Sequence, residues 1–293
     1  MEIFGIPTAL LGSQLLVGLI NGSFYAILSL GLAIIFGLLN IINFCHGAQY
    51  MMGALVAWIA LTRFGISYWV ALIAAPLIVG VVGVVIERMM LRRLYKLVHL
   101  FGLLLTFGLA LIFEGIFRDQ FGISGESYEV PEALTGGVNL GFMFLPIYRG
   151  WVIIASLTVC FGTWYMIERT KLGAYLRAGT ENSQMVQALG INVPLLITFT
   201  YGYGVALAAF AGVLAAPIFQ VNPLMGSNLI IVVFAVVVIG GMGSIMGSIL
   251  TGLGLGLVEG LTKVFYPEAS SVVVFVIMVI VLLVRPAGLF GKS

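Results

Sequence analysis

Charge is what this chain has least of. Only 8% of its 293 residues are Asp, Glu, Lys or Arg, and 61% are hydrophobic. A soluble domain carries about 25% charged residues, so a water-bathed globule is excluded and a polytopic membrane protein is expected. Cysteine is nearly absent: Cys45 and Cys160 are far apart and form no C-x-x-C. That excludes a disulfide scaffold and predicts two buried free thiols. His46 and His99 are the only histidines, so no metal-ligand cluster is expected. A net charge of +2 without a basic tract gives no footprint for nucleic acid. No Lys or Arg precedes Arg63, and a secretory signal needs a positive n-region, so no cleavable signal is expected. Nothing matches G-x-x-x-x-G-K-[ST]; the stretch GGMGSIMGS has the glycines but no lysine. No cofactor is therefore expected on this chain, and no catalytic residue, because the intramembrane His46 has no second group beside it in the sequence.

Long hydrophobic runs are what is present. Crossing the hydrocarbon takes roughly 20 mostly apolar residues. Spans are expected near 10–36, 47–62, 68–87, 100–117, 150–167, 195–217, 228–240, 246–265 and 271–285. The fold class is all-α, with about nine transmembrane helices (eight to ten), some short or broken, forming a single transmembrane domain over 1–293. Two loops stand out, one at about 118–149 and one at about 168–194. The first is acidic and holds Pro131 and Gly136–Gly137, which predicts ordered turns or a short hairpin.

The loops also predict orientation, because cytoplasmic segments collect Lys and Arg. One set holds Arg88, Arg92, Arg93, Lys96, Arg169, Lys171, Arg177, Arg285 and Lys292; the other holds Arg63, Arg118, Arg149 and Lys263. Nine against four places the first set in the cytoplasm. With nine spans the N-terminus lies outside and the C-terminus inside.

Two segments do not read as plain spans. FGLLNIINFCHGAQYMMGA puts Asn40, Asn43, His46 and Gln49 inside apolar sequence. Spacing of three aligns them roughly along one helical face, if the helix is continuous. They form either a wall of a solute path or a hydrogen-bonded seam between helices. In VVIGGMGSIMGSILTGLGLGLVEG, Gly240, Gly241, Gly243 and Gly247 make a breakable backbone, and Gly252 to Gly256 suits close helix packing. The two breaks occupy similar places in the two halves, which hints at an inverted repeat. Glu114 and Glu259 are acidic residues within spans and thus suspects for function, though no Lys or Arg is evident at matching depth.

GAYLRAGTENSQMVQALGINVP (173–194) is a polar island. It predicts a short helix with Thr180 as N-cap, Glu181 at the dipole-favoured start and Gly190 as its stop. Met185, Val186 and Leu189 share one face. The polar face carries Glu181, Asn182, Ser183, Gln184 and Gln187, whereas a helix lying on lipid is rich in Lys and Arg.

These stretches together resemble the permease subunits of bacterial ABC importers for branched-chain amino acids. Asn43, Phe44, His46 and Gly47 are similar to an Asn-Phe-x-His-Gly signature of that family. Arg177, Ala178, Ala188, Gly190, Ile191 and Asn192 match its cytoplasmic coupling motif, and GGMGSIMGSILTG with LVRPAGLFG its C-terminal pair. Cys45, Gln49 and Thr180–Asn182 depart from the family's usual residues. The resemblance implies a multi-pass protein of the bacterial inner membrane that carries leucine, isoleucine or valine. Relatives on the same scaffold carry urea, short amides or aromatic acids. It implies a complex with a second homologous permease, two cytoplasmic ATPases that bind ATP and Mg, and a periplasmic substrate-binding protein. Asn43, His46 and Gln49 are then substrate-path candidates. Glu181, Met185, Val186, Leu189 and Gly190 are candidates for docking on the ATPase, by helix-in-groove recognition. A stand-alone ion-coupled secondary transporter is the reading of another class.

Overall fold

The computed structural model describes residues 2–3, 6–39, 41–95 and 97–291. Asn40, Lys96 and Lys292, each used above, lie outside the described residues. A short N-terminal hairpin, β1 (Glu2–Ile3) with β2 (Ile6–Pro7), leads into α1 (Thr8–Leu39). There follow α2 (Cys45–Phe64), α3 (Tyr68–Ile86), a π-helical turn (Glu87–Leu91), the single turn α4 (Arg92–Leu94) and α5 (His99–Phe121). The loop after α5 contains the antiparallel hairpin β3 (Gly137–Asn139) and β4 (Phe144–Pro146), as its glycines suggested. The second half is α6 (Ile147–Arg169), α7 (Lys171–Glu181), α8 (Ser183–Ala188), α9 (Val193–Ala215), α10 (Met225–Gly240), α11 (Ile245–Phe265) and α12 (Val273–Val284).

Each expected span coincides with one of these helices. Six are long and apolar enough to cross a membrane, beginning at Thr8, Tyr68, His99, Ile147, Val193 and Ile245; α10 and α12 are shorter apolar helices. The chain is an all-α polytopic membrane protein.

α1 is the axis of the bundle, with 83% of its most apolar stretch buried in protein. It packs closely along α11 at facing glycines: a Cβ on Gly18 would meet the Gly256 carbonyl at 2.5 Å, and one on Gly256 would meet Gly22 at 2.4 Å. Where lipid tails are as apolar as leucine, helices associate by such close backbone approach, so the glycine run of α11 is a packing surface. α2 meets α9 in the same way at Gly53 and Gly212, and α10 at Gly47 and Gly226. Outer faces carry Leu77 on α3, Leu104 and Leu111 on α5, Ile154 on α6 and Leu283 on α12, all exposed. Apolar side chains that find no partner within the bundle suit lipid or a neighbouring apolar protein.

Candidate functional site

Among the described residues, the polar segment 41–54 is not one continuous helix, so the condition for a single polar face is not met for Asn43, His46 and Gln49, and Asn40 lies outside the described residues. α1 ends at Leu39 and α2 begins only at Cys45, with Phe44 as its N-cap. Asn43 belongs to the extended link, yet the turn swings it back so that its amide Nδ2 donates to Gln49 Oε1 at 3.2 Å. His46 lies in the first turn of α2, and its Nε2 sits 3.0 Å from the Leu28 carbonyl. Leu28 lies 11 residues before the end of α1 (39 − 28), or about 16 Å at 1.5 Å per residue. The link is thus held deep in the bundle. Non-helical backbone survives at such depth only when protein satisfies it, and Thr106 of α5 does so. Its Oγ1 donates to the Ile42 carbonyl and accepts from the Phe44 N–H, both at 3.2 Å.

Asn43, His46 and Gln49 are all closed off, at 0, 0 and 1% exposure. Tyr201 of α9 joins them, beside Gln49 and Asn43. Asn43 Oδ1, His46 Nδ1, Gln49 Nε2 and the Tyr201 hydroxyl have no partner among the described residues. In this closed arrangement there is no room for a water beside His46, and the cluster pins α2 to α1 through the His46–Leu28 contact. Thr106 and Tyr201 were missed from sequence. Each is a polar group inside an apolar run, which is the signal that had identified Asn43 and His46.

The stretch 171–189 is two helices rather than one. Thr180 is not a cap: it lies in the last turn of α7 and donates its hydroxyl to the Arg177 carbonyl at 2.7 Å. Asn182 caps instead, its Oδ1 accepting from Met185 N–H at 2.9 Å. Glu181 therefore closes α7 rather than opening α8, on the exposed side. Gly190 does stop the helix. It has φ +85°, its N–H bonds the Gln187 carbonyl, and the Ile191 N–H bonds that of Val186. This is a Schellman closure, which favours glycine at the left-handed position. Asn192 then caps α9 through the Leu195 N–H, with Pro194 in the first turn. The expected apolar face divides. Val186 is 5% exposed and turned inward, while Met185 and Leu189 are 64% and 74% exposed.

α7 and α8 gather at one end of the bundle with the two C-terminal motifs. The α10–α11 break is made by Gly241 (φ +99°) and Gly243 (φ +86°). The chain after α12 docks on it, with Leu289 N–H on the Ile239 carbonyl and Phe290 N–H on that of Gly240. Gly243 abuts Gly37 near the end of α1. This break therefore lies beside the end of α1, whereas the first turn of α2 sets His46 against Leu28, further back along α1.

Two of the carboxylates within the bundle, Glu259 and Glu87, have partners that the sequence reading missed. Glu259 sits 2.5 Å from Lys263 one turn on, and accepts from the Tyr25 hydroxyl at 2.7 Å. A cation at matching depth therefore does exist. Glu114 is buried on α5 near Cys45. Glu87, taken above only as the end of a span, is 1% exposed in the π-helical turn. It accepts from the Tyr95 hydroxyl at 2.8 Å and from the Thr198 hydroxyl at 2.7 Å. Burial, with Glu87 beside it, pushes the Tyr95 phenol up, so it remains a donor at neutral pH. Glu87 thus ties α9, directly after the α8 loop, to the end of α3. Replacing Glu87 with alanine takes the charged acceptor from the Tyr95 hydroxyl and leaves the Thr198 hydroxyl only the Pro194 carbonyl of its own helix. It is expected to destabilise the protein by about 2 kcal/mol, in the range for hydrogen bonds to a charged group; thermal unfolding in detergent followed by size exclusion checks this. Cys45 and Cys160 are both free and buried.

The description "Branched-chain amino acid transport system / permease component" belongs to the family model that matches residues 14–282. Among similar proteins, the high-affinity branched-chain amino acid transport system permease protein BraD of Pseudomonas aeruginosa is 34% identical, the alignment covering 95% of each chain. LivH of Escherichia coli K12, named for the same system, is 30% identical over 95% of each chain. A probable LivH of Methanocaldococcus jannaschii is 27% identical, over 96% of this chain and 93% of its own. No solved structure matches the chain.

Proposed function

We propose, from the premise that the chain belongs to the branched-chain amino acid transport system permease family, that it is the membrane-spanning subunit of an ATP-driven importer of leucine, isoleucine or valine. It works in the inner membrane with its N-terminus outside and its C-terminus in the cytoplasm, as the nine-to-four distribution of Lys and Arg favours. ATP and Mg bind a separate ATPase pair, a soluble binding protein delivers the cargo, and a second permease completes the pore.

One observation carries the mechanism. A capped six-residue helix, α8, stands between the short α7 and the membrane helix α9, with Met185 and the C-cap residue Leu189 bare. Six residues do not hold a helix alone in water, and its polar residues lack the basic character that anionic lipid attracts. Two apolar side chains one turn apart on a short helix fit a groove on a partner protein. When the ATPases close, α8 moves with them. α9 follows directly and carries Tyr201 into the Asn43–His46–Gln49 cluster, so the same element reaches the docking surface and the polar core. Two packings of the bundle, biased by that motion, would open the core to alternate sides.

The complex is tested by copurification from native membrane, then reconstitution with its binding protein. Leucine uptake that requires ATP on the ATPase side supports the proposal. A chain that purifies without an ATPase and transports without ATP is a secondary transporter instead. For the polar core, His46→Ala is expected to cut uptake at least about tenfold, the worth of one buried hydrogen bond in a pathway, with the complex still assembled. A variant that no longer assembles would reduce the cluster to a structural seam.

A further inference from the structure

The corner between α3 and α5 carries the densest positive charge of the chain. Arg88, Arg92, Arg93 and Lys96 all fall within 88–96. Arg88 lies in the π-helical turn, Arg92 and Arg93 on α4, and all three are exposed. None of the three has an ion pair among the described residues; the pairs present join Arg177 to Glu168 and Lys263 to Glu259. The carboxylate beside them in sequence, Glu87, is 1% exposed and already takes the Tyr95 and Thr198 hydroxyls. Three cations therefore share one turn of chain with no anion to neutralise them.

Apolar side chains lead up to these arginines from both sides. Leu77, Val81, Val85 and Met89 are all exposed and follow one another at four-residue spacing along α3 and the turn, the spacing of a ridge on a helix surface. Arg93 is next in that row. α4 packs against α5, whose first turns carry Leu100, Phe101 and Leu104, also exposed. These rows belong to the outer faces of α3 and α5, which meet hydrocarbon in a membrane. The arginines stand where the rows end, at the level of the headgroups, and their long stems carry the guanidinium groups into that layer.

We infer that this corner binds an anionic phospholipid, its phosphate held by Arg88, Arg92 and Arg93 and its acyl chains laid along the apolar rows of α3 and α5. A guanidinium pairs with phosphate through parallel N–H donors, and basic residues directly beyond a membrane helix draw anionic lipid. A zwitterionic lipid fits less well, because its ammonium meets three cations and no free carboxylate. An acidic protein surface would use the arginines but not the rows that lead to them. In the proposed orientation the lipid belongs to the inner leaflet. Bound there, it braces the turn whose Glu87 holds Thr198 of α9. The site depends on the membrane bundle alone and is independent of the cargo.

The probe is dioleoylphosphatidylglycerol, added to the delipidated complex in detergent and counted by native mass spectrometry against dioleoylphosphatidylcholine. Phosphatidylglycerol is expected to bind at least about tenfold more tightly, since each basic side chain near an anionic surface is worth about fivefold. Arg92→Gln should weaken it about fivefold and the pair Arg92→Gln, Arg93→Gln about twenty-fivefold, with phosphatidylcholine binding unchanged. Arg63→Gln, an exposed cation at the end of α2, should change neither. Washing the loaded complex with millimolar inorganic phosphate should leave the lipid bound. Equal binding of the two lipids by the unaltered complex overturns the inference. So does phosphatidylglycerol binding that the double substitution does not change, which places the lipid elsewhere. Displacement by inorganic phosphate overturns it in favour of a free-anion site. Loss of the ATPase from the doubly substituted complex, with lipid binding retained, makes the arginines a protein-docking surface instead.

Discussion

Gly53→Ala is expected to lower the stability of the protein by about 1–3 kcal/mol, the usual cost of overfilling a packed site, for the addition of a single methyl group. That methyl would lie 2.2 Å from the Ala209 carbonyl oxygen, 2.5 Å from its Cα and 2.6 Å from its carbonyl carbon. All three are backbone atoms of α9, so no side chain can swing aside and the two helices must separate. The opposing glycine is equally constrained, since a Cβ on Gly212 would meet the Tyr50 carbonyl at 2.0 Å. Prising α2 from α9 also disturbs His46 and Gln49 on α2 and Tyr201 on α9, so transport should fall with stability. Gly108→Ala on α5 is the control. Nothing lies within 4 Å of its added methyl, and alanine is the better helix former, so it should be neutral or slightly stabilising. Thermal unfolding of both variants in the same detergent makes the comparison. Equal midpoints would mean that α2 and α9 are not in backbone contact.

The sequence was most legible where one property decides the outcome. Length and apolarity alone predict a span, and 195–217 became Val193–Ala215 while 246–265 became Ile245–Phe265. The second break was visible too, because glycines at φ +99° and +86° do what few other residues can. Where several residues could do the same work, sequence spacing did not choose among them. Thr180 and Asn182 are both good caps. Asn182 prevails because α7 continues past Thr180, whose hydroxyl turns back to its own helix. Asn43, His46 and Gln49 were correctly singled out as polar in an apolar setting, but their common helical face assumed a helix that ends at Leu39. Their meeting depends on a chain reversal and on Thr106. Glu87 was illegible for a further reason. One of its partners, Thr198, is 111 residues away, and only the packing of α9 on α3 brings them together. The pairing of Glu259 with Lys263 was within reach, since four residues apart on a helix is contact distance.

The division of the α8 face gives the sharpest functional expectation. Leu189→Asp should leave the permease folded and in the membrane, remove the ATPase from the purified complex and reduce ATP-driven import to background. Leu189 is 74% exposed and touches little of its own chain, so a carboxylate there stays hydrated and costs the fold almost nothing. In a partner's apolar groove the same carboxylate is buried without a counter-ion, and truncating or charging a central anchor of such an interface costs at least about 2 kcal/mol and often far more. Val186→Ala tests the other side of the helix. Val186 is buried, so shortening it should loosen α8 by about 1–2 kcal/mol with the ATPase still bound. The two substitutions lie three residues apart on one six-residue helix and its cap, yet they predict opposite outcomes, lost association with an intact fold against a weakened fold with association retained. Quantified copurification alongside thermal unfolding separates them. If Leu189→Asp imports normally, α8 is not the docking element, and the motion that drives the polar core must enter through another part of the bundle.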